Sequence, residues 1–80
     1  MNDAIADDLH QRVGGTWVLE YLPVLGNKIK VYRFRFPQIY LRSFFYYPDE
    51  NVFKYITGTE YTEQDVKKYI KMHTKLANFA

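Results

Sequence analysis

TWVLEYLPVLGNKIKVYRFRF, residues 16–36, is the stretch whose reading decides the fold. Two β-rich runs, 16–25 and 28–36, flank Gly26-Asn27, and glycine at the first central position of a two-residue loop is the signature of a type II′ hairpin. That turn predicts Leu25 opposite Lys28, and hence Trp17 opposite Phe36, Leu19 opposite Phe34, Tyr21 opposite Tyr32 and Glu20 opposite Arg33. The second run alternates with a slip in phase. Ile29 and Val31 share a face with Arg33 and Arg35, while Lys28 and Lys30 share the other with Tyr32, Phe34 and Phe36. In the hairpin register the first run shows the same slip, so apolar meets apolar across the pair without a bulge.

Outward from this hairpin, Pro37-Gln38 breaks the chain before a third run, 39–47 (IYLRSFFYY). A tight turn there pairs Phe36 with Ile39. Pro48-Asp49-Glu50-Asn51 is a type I turn signal, followed by a fourth run over 52–57. Upstream, Ile5, Leu9 and Val13 recur at helical spacing and predict a helix over 3–13, capped by Asn2 or Asp3 and ended by Gly14-Gly15. Downstream, Thr62 with Asp65 approximates a capping box, and Tyr61 with Val66 fits a hydrophobic staple. Val66, Tyr69, Ile70, His73, Leu76 and Ala77 then form an apolar stripe on a helix over 62–78, with Lys67, Lys68, Lys71 and Lys75 opposite. The reading is α+β: a single small domain over 1–80, ordered α-β-β-β-β-α, with a twisted antiparallel four-stranded meander sheet and helices packed on it.

These registers give a sheet apolar at opposite ends of its two faces. Trp17, Leu19, Tyr21, Tyr32, Phe34, Phe36, Ile39, Leu41 and Ile56 form one cluster, which two helices can cover, with Lys28, Lys30 and Lys54 at the far end of that face. Leu22, Val24, Ile29, Val31, Phe44, Tyr46, Phe53 and Tyr55 form a second cluster without an evident lid. An open patch of that size exceeds what monomers usually leave exposed, so either one helix crosses to that side or another molecule covers it, and the eight side chains are the candidate protein interface. Ile29 and Val31 in particular should be covered.

Composition bounds the chemistry. One Trp, eight Tyr and six Phe in 80 residues are too many rings for so small a core to hide easily. The chain has no cysteine, which excludes disulfides and thiolate metal sites and fits a reducing, cytoplasmic setting. Its N-terminus is acidic, unlike a signal peptide, and no run approaches the length of a membrane span. The net charge of +2 does not by itself imply nucleic acid. Catalysis finds little footing. His10 and His73 fall on different helices, Ser43 is the only serine and lies mid-strand, and the glycines form no phosphate-binding loop. The expectation is therefore no enzyme, no metal, no cofactor, no small-molecule substrate and no membrane partner.

Arg33, Arg35 and Arg42 on one sheet face, with Tyr40 beside them, pair guanidinium groups with an aromatic ring and suit contact with nucleic acid or an acidic partner. Gly15-Thr16-Trp17 opening a strand, the basic hairpin and Tyr61-Thr62-Glu63-Gln64-Asp65-Val66 opening a helix together resemble the arm-site DNA-binding domain of phage-type integrases. That resemblance, over about half the chain, implies a three-stranded sheet with a C-terminal helix, reading the major groove through the sheet. The run at 52–57 and the N-terminal helix depart from the pattern, so it does not assign a family. The leading functional expectation is a non-enzymatic protein-binding module of the phage or mobile-element inhibitor type. It would act as an anti-CRISPR-like blocker of a host nucleic-acid-handling complex through an aromatic and arginine sheet surface, with a homodimer as one form. The alternative is a small DNA- or RNA-binding regulator using the basic end of the sheet.

Overall fold

The computed structural model describes residues 3–35 and 44–79, with side chains through residue 72. In chain order the elements are α1 (Ala4–Arg12), β1 (Thr16–Val24), β2 (Asn27–Arg35), β3 (Phe44–Tyr47), β4 (Val52–Tyr55), β5 (Glu60–Tyr61) and α2 (Glu63–Phe79). All strand pairings are antiparallel, in spatial order β1-β2-β3-β4-β5. The α+β class and the meander hold, with five strands in place of four. The added strand is β5, two residues pairing Tyr61 with Phe53 and Glu60 with Lys54. A two-residue strand carries no periodicity, so it goes unmarked between the run at 52–57 and the helix start at 62. Ile56 accordingly lies past the end of β4 and is exposed.

The hairpin register differs from the expected one by two positions. Val24 pairs with Asn27, so Trp17 meets Phe34, Leu19 meets Tyr32 and Glu20 meets Val31. The loop is Leu25-Gly26, with φ of 49° and 81°, the pair of positive values that defines a type I′ turn. A two-position slide preserves which face each side chain occupies, so the hairpin's face assignments survive. The observed register brings the Trp17 and Phe34 rings to 5.2 Å and seats Phe34 against Gly15.

Gly14-Gly15 turns α1 onto the sheet. A Cβ on Gly15, which has φ of +78°, would lie 2.0 Å from the Phe34 ring, so no other residue fits. The corner is fastened from both sides. The Trp17 indole N–H donates to the Gly14 carbonyl at 2.9 Å, and His10 Nδ1 lies 2.6 Å from the Gly15 carbonyl as the donor. At the other end of α1, Asp3 is the N-cap. One carboxylate oxygen accepts from the Ile5 and Ala6 amides at 2.9 and 3.3 Å, satisfying donors the first turn would leave unpaired. The other accepts from the Tyr32 hydroxyl at 2.7 Å, which ties the helix start to the fully buried ring beneath it.

The core lies between one sheet face and the helices. Leu9 from α1, Val13 at its C-cap, Val66 and Ile70 from α2, and Trp17, Tyr32, Phe34, Phe44, Tyr46 and Phe53 from the sheet form one cluster. α2 opens with the expected capping box: the Asp65 amide donates to Thr62 Oγ1 at 3.1 Å, and the Thr62 amide donates to an Asp65 carboxylate oxygen at 3.2 Å. His73, Leu76 and Ala77 lie in α2, but their side chains fall outside the described residues, as do Phe36, Ile39 and Leu41 altogether.

The expected third strand over 39–47 is described only as Phe44–Tyr47, and it returns in a different parity from the one that a tight turn at Pro37-Gln38 requires. Tyr32 pairs with Tyr46 and Arg33 with Phe45. That single change moves Phe44, Tyr46, Phe53 and Tyr55 to the helix-covered face and sends Lys54 to the opposite one.

Two measurements test this account. Gly15→Ala should lose about 3 kcal/mol in denaturant unfolding, from overpacking against Phe34 and a left-handed backbone. Gly26→Ala, with the same backbone sign but nothing within 4 Å of its Cβ, should lose only about 1 kcal/mol. Asp3 is held below its usual 3.8, first by the Tyr32 hydroxyl and then by the helix amides, against an opposing effect of burial. Its contribution is therefore complete above that value, declines as pH falls below it and is gone below the depressed folded value. Asp3→Asn should lose this component of acid sensitivity in a pH series of melts.

Candidate functional site

The eight side chains expected to form an open apolar patch separate into two sets. Phe44, Tyr46, Phe53 and Tyr55 belong to the core or pack against it, and Phe44 lies 5.2 Å from the Tyr61 ring and 5.7 Å from that of Tyr69. The three core rings are unavailable to a partner, and Tyr55 is half-buried on the helix side. Leu22, Val24, Ile29 and Val31 do share the opposite face, by their register in β1 and β2. Val31 is 0% exposed, so the chain itself covers it, whereas Leu22 and Ile29 are half-buried and Val24 is 40% exposed.

What makes this remnant a candidate site is the length of the hairpin. β1 and β2 are nine residues each, roughly 30 Å, but β3 pairs only with Tyr32 and Arg33 at one end of β2. Among the described residues, the other end, from about Glu20 round the turn to Lys30, has only its own two strands. At its tip Leu25 is 98% exposed in a left-handed backbone conformation, a combination that stabilises nothing within the chain. Tyr21, on the helix-side face, is 59% exposed. Lys28 and Lys30 flank the tip, both exposed, with Lys30 Nζ 5.9 Å from the Tyr32 ring centroid. The arm is thus apolar on one face, through Leu22, Val24 and Ile29, and carries Tyr21 with the two lysines on the other. Tyr21 and Leu25 are the members that pattern reading misses: Leu25 is placed in a strand by the II′ assignment, and Tyr21 is assigned to a covered cluster. A leucine immediately before Gly-Asn was the available signal for the tip.

The basic candidates fare differently from one another. Arg33 forms an ion pair with Glu20 at 2.8 Å, with both side chains about one-third exposed, and the Arg33 Nε is buried without a hydrogen-bond partner. Its charge is already matched. The pairing is diagonal across the ladder, since Glu20 stands directly opposite Val31. Arg35 ends β2 exposed on the same face. Tyr40 and Arg42 lie outside the described residues, so the full cluster is not assembled from what is described. Lys54 is drawn to Glu50 at 3.0 Å and lies 4.9 Å from the Tyr47 ring centroid.

A cleft of about 440 Å³ opens where α1 ends, beside β4, β5 and the start of α2, with Arg12, Asn51, Phe53, Glu60, Tyr61 and Glu63 among its lining. Arg12 is engaged at both sides of it, 3.2 Å from Asp8 and 3.2 Å from Glu63, which fastens the end of α1 to the start of α2. Among the described residues no three His, Asp or Glu side chains gather to hold a metal ion, and no helix is long and apolar enough to cross a membrane. No family model, curated protein or solved structure significantly matches the chain, so the integrase-like residues stand as a local resemblance only.

Proposed function

We propose that the chain is a non-enzymatic module that binds a protein partner through the projecting β1–β2 arm. The observation that carries this reading is the tip itself: Leu25 almost fully exposed, with Val24, Leu22 and Ile29 beside it and Lys28 at the margin. Apolar side chains near a turn, rimmed by charge, have the makeup of an interface anchor and its border. The lysines favour a partner with an acidic rim around an apolar pocket. A blocker of a nucleic-acid-handling complex, of the kind phages and mobile elements encode, is the biological class this reading favours. Surfaces evolved to hold polyanions are basic, so the arm would engage such a target beside its nucleic-acid channel instead of imitating the nucleic acid.

Direct binding of DNA or RNA by the sheet is the weaker reading, because Glu20 neutralises Arg33 and leaves Arg35 as the free guanidinium among the described arginine candidates. The two separate by salt and by nuclease. Capture on immobilised protein should retain its partner after nuclease treatment and at raised salt, and Leu25→Asp should weaken that retention at least tenfold without lowering the melting temperature. Loss of the captured material on nuclease treatment, with Leu25→Asp unchanged, would replace the protein-binding reading by the nucleic-acid one.

A further inference from the structure

β1 borders the sheet, with β2 on one side and, among the described residues, no strand on the other. It is nine residues long and carries one charge, Glu20. Long edges of this kind template pairing with another strand unless they are guarded. Which backbone groups face outward follows from the turn. A two-residue loop closes on a hydrogen-bonded pair, here Val24 with Asn27, so the even-numbered residues Thr16, Val18, Glu20 and Leu22 aim their N–H and C=O groups at β2. Trp17, Leu19, Tyr21 and Pro23 aim theirs outward. Pro23 has no N–H to offer, which suits an edge position and ends the usable ladder at Tyr21.

We infer that this edge pairs with the same edge of a second copy, antiparallel, about a two-fold axis at Leu19. The inference gives the partner-binding reading a second partner, the chain itself, and uses backbone that the arm's tip does not. Self-pairing must keep like faces together, and each possible centre meets a different obstacle. Centring on Glu20 sets two carboxylates directly opposite each other. With Tyr21 at the axis, the donorless Pro23 takes up a hydrogen-bonding position. Moving the axis to Trp17 or Val18 runs the ladder into Gly15, whose carbonyl His10 already occupies.

Centring on Leu19 instead pairs Leu19 with Leu19 of the second copy and Trp17 with its Tyr21, reciprocally. Every outward N–H and C=O of Trp17, Leu19 and Tyr21 is then satisfied. Glu20 stands opposite Val18 and keeps its own Arg33. The pairing also covers Leu19 and Tyr21, 37% and 59% exposed in the single chain. α1 ends at the Thr16 end of β1, so the antiparallel arrangement sends the C-terminal ends of the two α1 helices to opposite ends of the shared ladder.

The chain has no cysteine, so a single introduced one reports the register. Across a hydrogen-bonded antiparallel pair the Cα atoms are about 5.5 Å apart, within disulfide range. Under mild oxidation Leu19→Cys should cross-link to itself, and Tyr21→Cys, displaced from the axis, should not. Light scattering on the unaltered protein should give twice 9.6 kDa at high concentration. Leu19→Lys, which opposes two ammonium groups across the axis at an exposed position, should restore the single mass without altering the melting profile of the dilute protein.

Leu25→Asp should leave the doubled mass intact, which separates failure of the tip from failure of the edge. A single-chain mass at all concentrations, or a doubled mass that survives Leu19→Lys without Leu19→Cys cross-linking, would overturn the inference. So would amides of Trp17, Leu19 and Tyr21 that gain protection from hydrogen exchange only when a captured partner is added, since the edge would then belong to a partner's strand.

Discussion

The approach of Phe34 to Gly15 is the constraint on which the rest of the molecule rests. The ring occupies the space a side chain at residue 15 would need, so α1 can turn back over the sheet at that corner and nowhere nearby. Once the corner is set, Leu9 and Val13 reach the core, Trp17 reaches the Gly14 carbonyl, and Asp3 arrives over Tyr32. The hairpin register is part of the same arrangement, because only the observed pairing sets Trp17 opposite Phe34 beside the glycines.

Packing around that corner also explains why one end of the hairpin is left over. The helices and the β3–β5 meander gather at the Trp17–Phe34 end, where the aromatic rings are, and leave the turn end projecting. Two kinds of unsatisfied surface follow, and they differ physically. The tip offers apolar side chains with a cationic border, while the outer edge of β1 offers backbone hydrogen-bonding groups. Burial of the first depends on a complementary pocket, and use of the second depends only on another strand in register.

Much of this was legible in the residues. The capping box at Thr62–Asp65, the glycine stop after α1, the hairpin and the face of each hairpin side chain are written in local chemistry and in a period of two. The face assignments survived a wrong turn type because the error was an even number of residues. The β2–β3 connection was not legible in the same way. A tight turn at Pro37-Gln38 predicts one parity, and the odd shift from it carries Phe44, Tyr46 and Phe53 into the core and packs Tyr55 against it. Of the expected interface, Leu22, Val24 and Ile29 remain accessible, and Val31 is buried by its own chain.

By itself, then, the sequence determined the class of fold, the order of its elements apart from the two-residue β5, and the alternation along the hairpin strands, because those depend on neighbours within a few residues. Tertiary structure alone decided which aromatic rings became core, and that Asp3 would serve a tyrosine 29 residues away as well as its own helix. Those outcomes depend on how distant strands are registered, and register is set by the joint fit of glycine, ring and helix at one corner, which no local pattern encodes.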